Sequence, residues 1–284
     1  MHFRIGFVFL LLNYTTTVNA QGWAKGKNEG YFNLAQSFIQ SSEFYSPEGK
    51  VINIRTTGLY ATSFYGEYGI TSKLTAVANV PFYVRNTFTK IQYIQSGRSV
   101  PADELNSLGD IELGFKYGFF QKKPIVLAVT FLAGIPSGNN AGGDSKILQT
   151  GDGEFNQLLR VDASHSFYPR PFYVSVYSAF NNRTSGFSDE YRYGFDFGYT
   201  GKKFNAIFHL NSIMTLNNGK TTGANVNNGI FSNNLEMVLP SIELAYDVYK
   251  NFGVSVAAGY PISGQNLLNS ASYKGAIYYK LKKR

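Results

Sequence analysis

Along most of this chain apolar and polar side chains alternate with a period of two. Between positions 191 and 199, Tyr191, Tyr193, Phe195, Phe197 and Tyr199 interleave with Arg192, Gly194, Asp196 and Gly198. Successive side chains of an extended strand point to opposite faces, so this order sets five aromatics on one face and the charges and glycines on the other. Ile111, Leu113, Phe115, Tyr117 and Phe119 stand in the same way against Asp110, Glu112, Gly114, Lys116 and Gly118. Leu159, Val161, Ala163 and Phe167 oppose Arg160, Asp162, Ser164 and Ser166. In all three segments the charges keep to one phase.

The same periodicity predicts strands near 31–45, 57–69 and 74–85, then from Asp110 to Phe120, from Ile125 to Gly134, and near 154–167 and 172–180. Two more lie within 191–216 around the turn TGKK, one within 231–249, and the last at 253–260 and 272–281. Short connections (TSK, QKKP, YPRP, TGKK, YKN) alternate with long polar ones, and the count of about twelve is even, so both ends of the array lie on one side. Short turns on one side and long loops on the other are the signature of an all-β, transmembrane, antiparallel up-and-down β-barrel. A secreted sandwich or soluble barrel is the alternative, because any half-buried sheet alternates. Two segments fit less well. IVLAVTFLAG is apolar in both phases, and the tenth segment changes phase near Pro240 and Ser241, which predicts a bulge or bend there.

In lipid every backbone N–H and C=O needs a partner within the protein, so strands cross only as a closed barrel with one greasy and one luminal face. The aromatic phase then faces lipid, with tyrosines toward the interfaces. The inward phase supplies Glu112, Lys116, Arg160, Asp162, Arg192, Asp196, Glu236 and Glu243 as pore-lining candidates. Two meanings stay open for them: they line and select a pore, or they form ion-paired networks that fill the interior. Gly114, Gly118, Gly194 and Gly198 share this phase and are expected to leave room for passage.

Composition agrees with a surface not built mainly for water. Aromatic residues make up 16% of the 284 positions and charged ones 15%, against roughly 25% charged in a soluble domain. Residues 1–20 read as a secretory signal peptide, with Arg4, an apolar run from Ile5 to Leu12, and Val18-Asn19-Ala20 before Gln21. Residues 21–284 then form a single barrel domain. The formal charge of +8 is scattered through turns and the C-terminus, so nucleic acid is not an expected partner.

With no cysteine, disulfides, thiolate metal sites and a cysteine nucleophile are excluded. A catalytic His–Ser pair on one strand face needs a spacing of two, but His165 is followed directly by Ser166, and His209 has Asn211 at that spacing. No enzyme activity is therefore expected. TGDG with Asp152 and Glu154, helped by Asp144, has hard oxygens for Ca²⁺ but not the full ligand spacing, and reads as a solvated turn. No cofactor or metal is expected.

YGEYGITSKLTA (65–76), GDIELGFKY (109–117), LQTGDGEFN (148–156) and NNRTSGFSDEYRYGF (181–195) resemble outer-membrane barrels of the phenol meta-pathway degradation type. The resemblance spans most of the chain after residue 20. It implies a channel in the outer membrane of a Gram-negative bacterium, with membrane lipid and a small, aromatic or hydrophobic solute as partners. A non-conducting structural or surface-interaction barrel is the alternative. The ending LKKR departs from the terminal aromatic common in such barrels.

Overall fold

A computed structural model of the chain describes residues 22–93, 97–220 and 231–282, and these contain strands and turns but no helix. The expected leader at 1–20 lies outside the described residues. The strands are β1 (Gly30–Tyr45), β2 (Val51–Gly69), β3 (Leu74–Phe88), β4 (Ile91–Gln92), β5 (Ser99–Val100), β6 (Asp103–Ser107), β7 (Ile111–Gly118), β8 (Ile125–Ile135) and β9 (Asn156–Ser166). They continue with β10 (Phe172–Arg183), β11 (Glu190–Thr200), β12 (Phe204–Thr215), β13 (Glu236–Tyr249), β14 (Phe252–Gly259), β15 (Ser263–Gln265), β16 (Leu267–Leu268) and β17 (Ser272–Leu281).

Twelve of these, β1–β3, β7–β14 and β17, pair antiparallel with their neighbours around a closed ring. Pairing of β1 with β17, from Gly30↔Leu281 to Phe38↔Tyr273, closes it and leaves no free edge. The short strands lie inside stretches expected to be loops. β6 extends the edge of β3, β15 pairs with β13, β16 pairs with β1, and β4 and β5 form a hairpin of their own. Runs of two to five residues are too short to show a period.

The turns 70–73, 119–124, 167–171, 201–203 and 250–251 share the end that carries residues 30 and 281, here the terminal end. The connections 89–110, 136–155, 216–235 and 260–271 share the opposite, loop end.

The outward face is an apolar belt. Leu113, Phe115, Leu159, Val161, Val176, Phe197, Ile242, Leu244, Val254 and Val256 are all exposed, and Ile277 is 60% exposed. A continuous belt of this kind is far larger than the patches water-soluble monomers tolerate, so it is a lipid contact and excludes the soluble alternative. Phe119, Phe120, Phe172, Phe204, Tyr246 and Phe252 crowd the terminal rim, where aromatic rings favour the interface. β8 is apolar on both faces because its inward side also packs: Val126, Ala128, Thr130, Leu132 and Gly134 point inward, Leu132 against the cluster of Leu158, Tyr177 and Ala179, while Ile125, Phe131 and Ile135 are exposed.

β13 corrects the expected phase change. Its register with β12 runs unbroken from Phe204↔Tyr246 through Leu210↔Pro240 to Ile213↔Met237, so its own facing does not change at Pro240; the irregularity there lies on the other side, where the register steps by one residue between Ser241↔Gly259 of β14 and Val238↔Ser263 of β15. Further register shifts fall between Asp247 and Tyr249 against β14, between Thr62 and Phe64 against β3, and between Ser41 and Glu43 against β2. What changes along β13 is the character of the inner face. Met237 and Leu239 point inward and join Ile39, Leu59, Ala61, Val84, Ile213, Leu235, Leu267 and Leu268 in a buried cluster at the loop end. The connection 260–271 folds back onto this cluster, which makes apolar inward positions favourable there.

Candidate functional site: the barrel interior

The interior is layered from the terminal end to the loop end. At the terminal end, residues 22–26 run across the mouth. The Gly22 amide donates to Ser164 Oγ, the Ala24 amide to Gln121 Oε1, and the Lys25 amide to Thr75 Oγ1, so the segment is tied to β9, the β7–β8 turn and β3. Trp23 meets Tyr173 edge to face, with ring centroids 6.2 Å apart. Above it, buried Glu67 accepts from Lys116 Nζ at 2.6 Å and from the Tyr65 hydroxyl at 2.7 Å, and Lys25 Nζ lies 3.4 Å away. A carboxylate out of water needs such partners, and two ammonium groups supply them.

In the middle layer Arg160 grips Asp162 through Nε and Nη2, at 2.8 to 3.1 Å, and its guanidinium lies 3.7 Å over the Tyr177 ring. Asp196 of β11 faces His209 of β12 across the ladder, with Oδ1 2.8 Å from Nδ1. His209 Nε2 lies 4.0 Å from Glu243 Oε2 on β13.

At the loop end a single guanidinium gathers three acids. Arg183 donates to Asp152 at 2.8 Å, Glu154 at 2.7 Å and Glu190 at 2.8 Å, and stacks 4.3 Å over Phe187. Arg192 also binds Glu190, and Glu112 accepts from Asn79 at 3.0 Å. In the loops outside the barrel wall, burial pushes the Asp152 carboxyl up to about 6 against the pull of Arg183, with Asp110 adding to the rise. Asp110 is itself raised, first by burial, although it accepts from the Gly138 and Asp152 amides.

Seven of the eight expected luminal residues thus share the inward phase. Glu236 does not. It stands seven positions from Glu243 on an unshifted strand, an odd spacing that sets it on the outer face, where it pairs with Gln265. The lumen-facing glycines do not simply leave space either. A Cβ on Gly194 would come 2.3 Å from the Tyr177 ring and one on Gly198 2.0 Å from Tyr173. Gln121 covers Gly118 in the same way.

Lys25, Glu67, Arg183, Glu190, His209, Asp247 and Lys274 were missed as luminal residues. Strand parity could have found Glu67, between the outward Gly66 and Tyr68, and His209, between Phe208 and Leu210. Arg183 sits where alternation ends, and nothing in the sequence ties Lys25 to Glu67. TGDG is not the solvated turn expected: the Asp152 and Glu154 side chains are largely withdrawn from solvent and engaged by Arg183. Among the described residues no group of three or more acids and histidines is arranged to hold a metal. His165 lies beside a turn with Nδ1 2.7 Å from the Pro124 carbonyl oxygen, and no hydroxyl hydrogen-bonds His209 Nε2.

No family model and no curated protein matches the chain. Solved structures do. An outer membrane channel from Pseudomonas putida F1 is similar with a TM-score of 0.59 at 9% identity, over 92% of this chain and 97% of that one. The NanC porin is similar with a TM-score of 0.53 at 8% identity, over 89% and 100%. The beta domain of the Bordetella autotransporter BrkA is similar with a TM-score of 0.50 at 11% identity, over 90% and 100%. At these identities the likeness is one of fold, and the fold is that of outer-membrane barrels. With its apolar belt, the protein is a transmembrane barrel of that class, surrounded by lipid.

Proposed function

We propose that the protein is an outer-membrane channel of the type its four sequence segments resemble, passing a small solute through a narrow, charged lumen. The observation that carries this reading is the gathering of Glu112, Lys116, Arg160, Asp162, Arg192, Asp196 and Glu243 on the inner face, seven inward positions from the four strands β7, β9, β11 and β13. Ionised groups in such a place need water or polar solute nearby, or partners for every oxygen and N–H. Their neighbours, the apolar cluster around Ile39 and Met237 and the tyrosines at 173 and 177, favour a solute with an apolar or aromatic body and a polar head. The P. putida structure is described as a channel and NanC as a porin.

A second reading, a structural barrel that does not conduct, is favoured by one observation: residues 22–26 lie across the terminal mouth. Planar-bilayer recordings separate the two. Arg160→Ala leaves Asp162 without its guanidinium, so the channel reading expects reversal potentials in a salt gradient to move toward cations. Lys25→Ala, which removes the tie to Glu67, is expected to raise open probability. Absence of conductance in wild type and in both variants would establish the structural reading instead.

A further inference from the structure

The two ends of the barrel differ in charge. The five short turns at the terminal end hold seven cations and no acid: Lys73 in 70–73, Lys122 and Lys123 in 119–124, Arg170 in 167–171, Lys202 and Lys203 in 201–203, and Lys250 in 250–251. The six connections at the loop end, 46–50, 89–110, 136–155, 184–189, 216–235 and 260–271, hold eight acids against five cations. All seven terminal cations are exposed. Among the described residues none of the seven forms a salt bridge, so their charge is turned outward rather than spent within the fold.

The same turns carry the aromatic rim. Phe119 and Phe120 precede Lys122, Tyr168 and Phe172 flank Arg170, Phe204 follows Lys203, and Tyr249 and Phe252 flank Lys250; all of these rings are exposed. The Lys250 ammonium lies 4.9 Å over the Tyr249 ring. Aromatic rings settle at the boundary between acyl chains and headgroups. A Lys or Arg one or two positions from such a ring extends its apolar stem along that boundary and delivers its charge to the level of the phosphates. The placement argues against a funnel for anionic solutes: the cations adjoin rings of the outer rim, and residues 22–26 cross the mouth they surround.

We propose that the terminal rim is a docking surface for anionic phospholipid headgroups of the leaflet on that side. The surface continues the lipid contact of the apolar belt, and its charge is complementary to a headgroup phosphate. Lys and Arg beside a negatively charged bilayer surface each add a favourable attraction that falls off within a Debye length, so only the end that carries them is drawn to that surface. Five basic turns around a closed ring meet several headgroups at once, which fixes the height of the barrel in the membrane. The proposal rests on the lipid-facing barrel alone and holds whether or not the lumen conducts.

The test is electron spin resonance of trace spin-labelled phosphatidylglycerol or phosphatidylcholine in phosphatidylcholine bilayers that hold the protein at low salt. The motionally restricted signal reports lipid at the protein surface. Expected is a preference of about fivefold for phosphatidylglycerol, the effect of roughly one Lys or Arg on one anionic headgroup. Combined Lys122→Gln, Lys123→Gln, Lys202→Gln and Lys203→Gln should reduce the preference at least about twofold. An equal loss of charge at the loop end, by Lys50→Gln, Lys90→Gln, Lys146→Gln and Lys220→Gln, should leave it intact. The wild type in about 1 M NaCl, where the Debye length is about 3 Å, should lose the preference and needs no variant to fold. Equal association of the two lipids, the same loss in both quadruple variants, or a preference that survives high salt would each overturn the surface. Inorganic phosphate at constant ionic strength should leave the preference unchanged, and its abolition there would make the rim a soluble-anion site instead.

Discussion

The hydroxyl of Tyr177, on β10, donates to Asn211 Oδ1, on β12, at 2.9 Å, reaching over the whole width of the intervening strand. It can do so because the residue beneath the ring is Gly194. Tyr278 repeats the device, lying over Gly253 of β14 to donate to Asp247 on β13 at 2.7 Å. Glycine lowers intrinsic strand stability, and the covering ring restores buried contact and fastens alternate strands to each other. Gly194→Ala should therefore displace Tyr177, break its bond to Asn211 and destabilise the barrel by about 1–3 kcal/mol. Urea unfolding in detergent would read the loss, and Tyr177→Phe should show the smaller share due to the hydrogen bond.

Phe195 and Asp196 are adjacent and face opposite environments. Phe195 lies in the apolar belt between exposed Tyr193 and Phe197, while Asp196 is buried against His209. Phe195→Arg should weaken folding by roughly 2 to 4 kcal/mol, the range for a cation near the bilayer midplane. Asp196→Asn should alter conductance more than folding. Equal folding losses in the two variants would count against this assignment of faces.

The Arg183 side chain is 5% exposed and holds three carboxylates together. Its replacement by Met removes the positive charge and leaves Asp152, Glu154 and Glu190 buried without it, an effect on the order of 3–5 kcal/mol for breaking a buried pair. Arg183→Lys keeps the charge but not the planar fork, so an intermediate loss is expected. Proteolysis at the loop end, within 136–155 and 184–189, would report both.

The raised Asp152 carboxyl gives the loop end a pH dependence of definite sign. Its ordinary value is 3.8 and burial lifts it to about 6, so the folded loop binds more protons than the opened loop between those limits. The stabilisation is complete below the ordinary value and is lost as pH rises through about 6. Hydrogen exchange in 136–155, corrected for the intrinsic rate, should show stronger protection at pH 5 than at pH 7. Asp152→Asn should remove most of the difference, and a wild-type loop that tightens on going to pH 7 would contradict the assignment.

Alternation together with the regular change between short turns and long loops pointed to the barrel: with period two, every charge in a segment such as 109–119 is committed to one face, and the twelve wall strands were legible in the sequence, although β2 begins at Val51, six residues before the expected start. It also assigned Lys116, Arg160, Asp162, Arg192 and Asp196 to the inside, since parity is a local property of the backbone. What it could not decide is what lies across the lumen. Glu236 and Glu243 look alike in composition, and only the unbroken register through Pro240 sets them on opposite faces. Lys25 meets Glu67 and Arg183 meets Asp152 because of how the segments 22–26 and 136–155 fold back, and His209 comes within 4.0 Å of Glu243 because of the register of β12 with β13. Those contacts depend on strand stagger and on chain returning from 22–26 and 136–155, which no period records. The interior chemistry is thus a product of tertiary structure, because a closed barrel brings together side chains that the sequence keeps far apart.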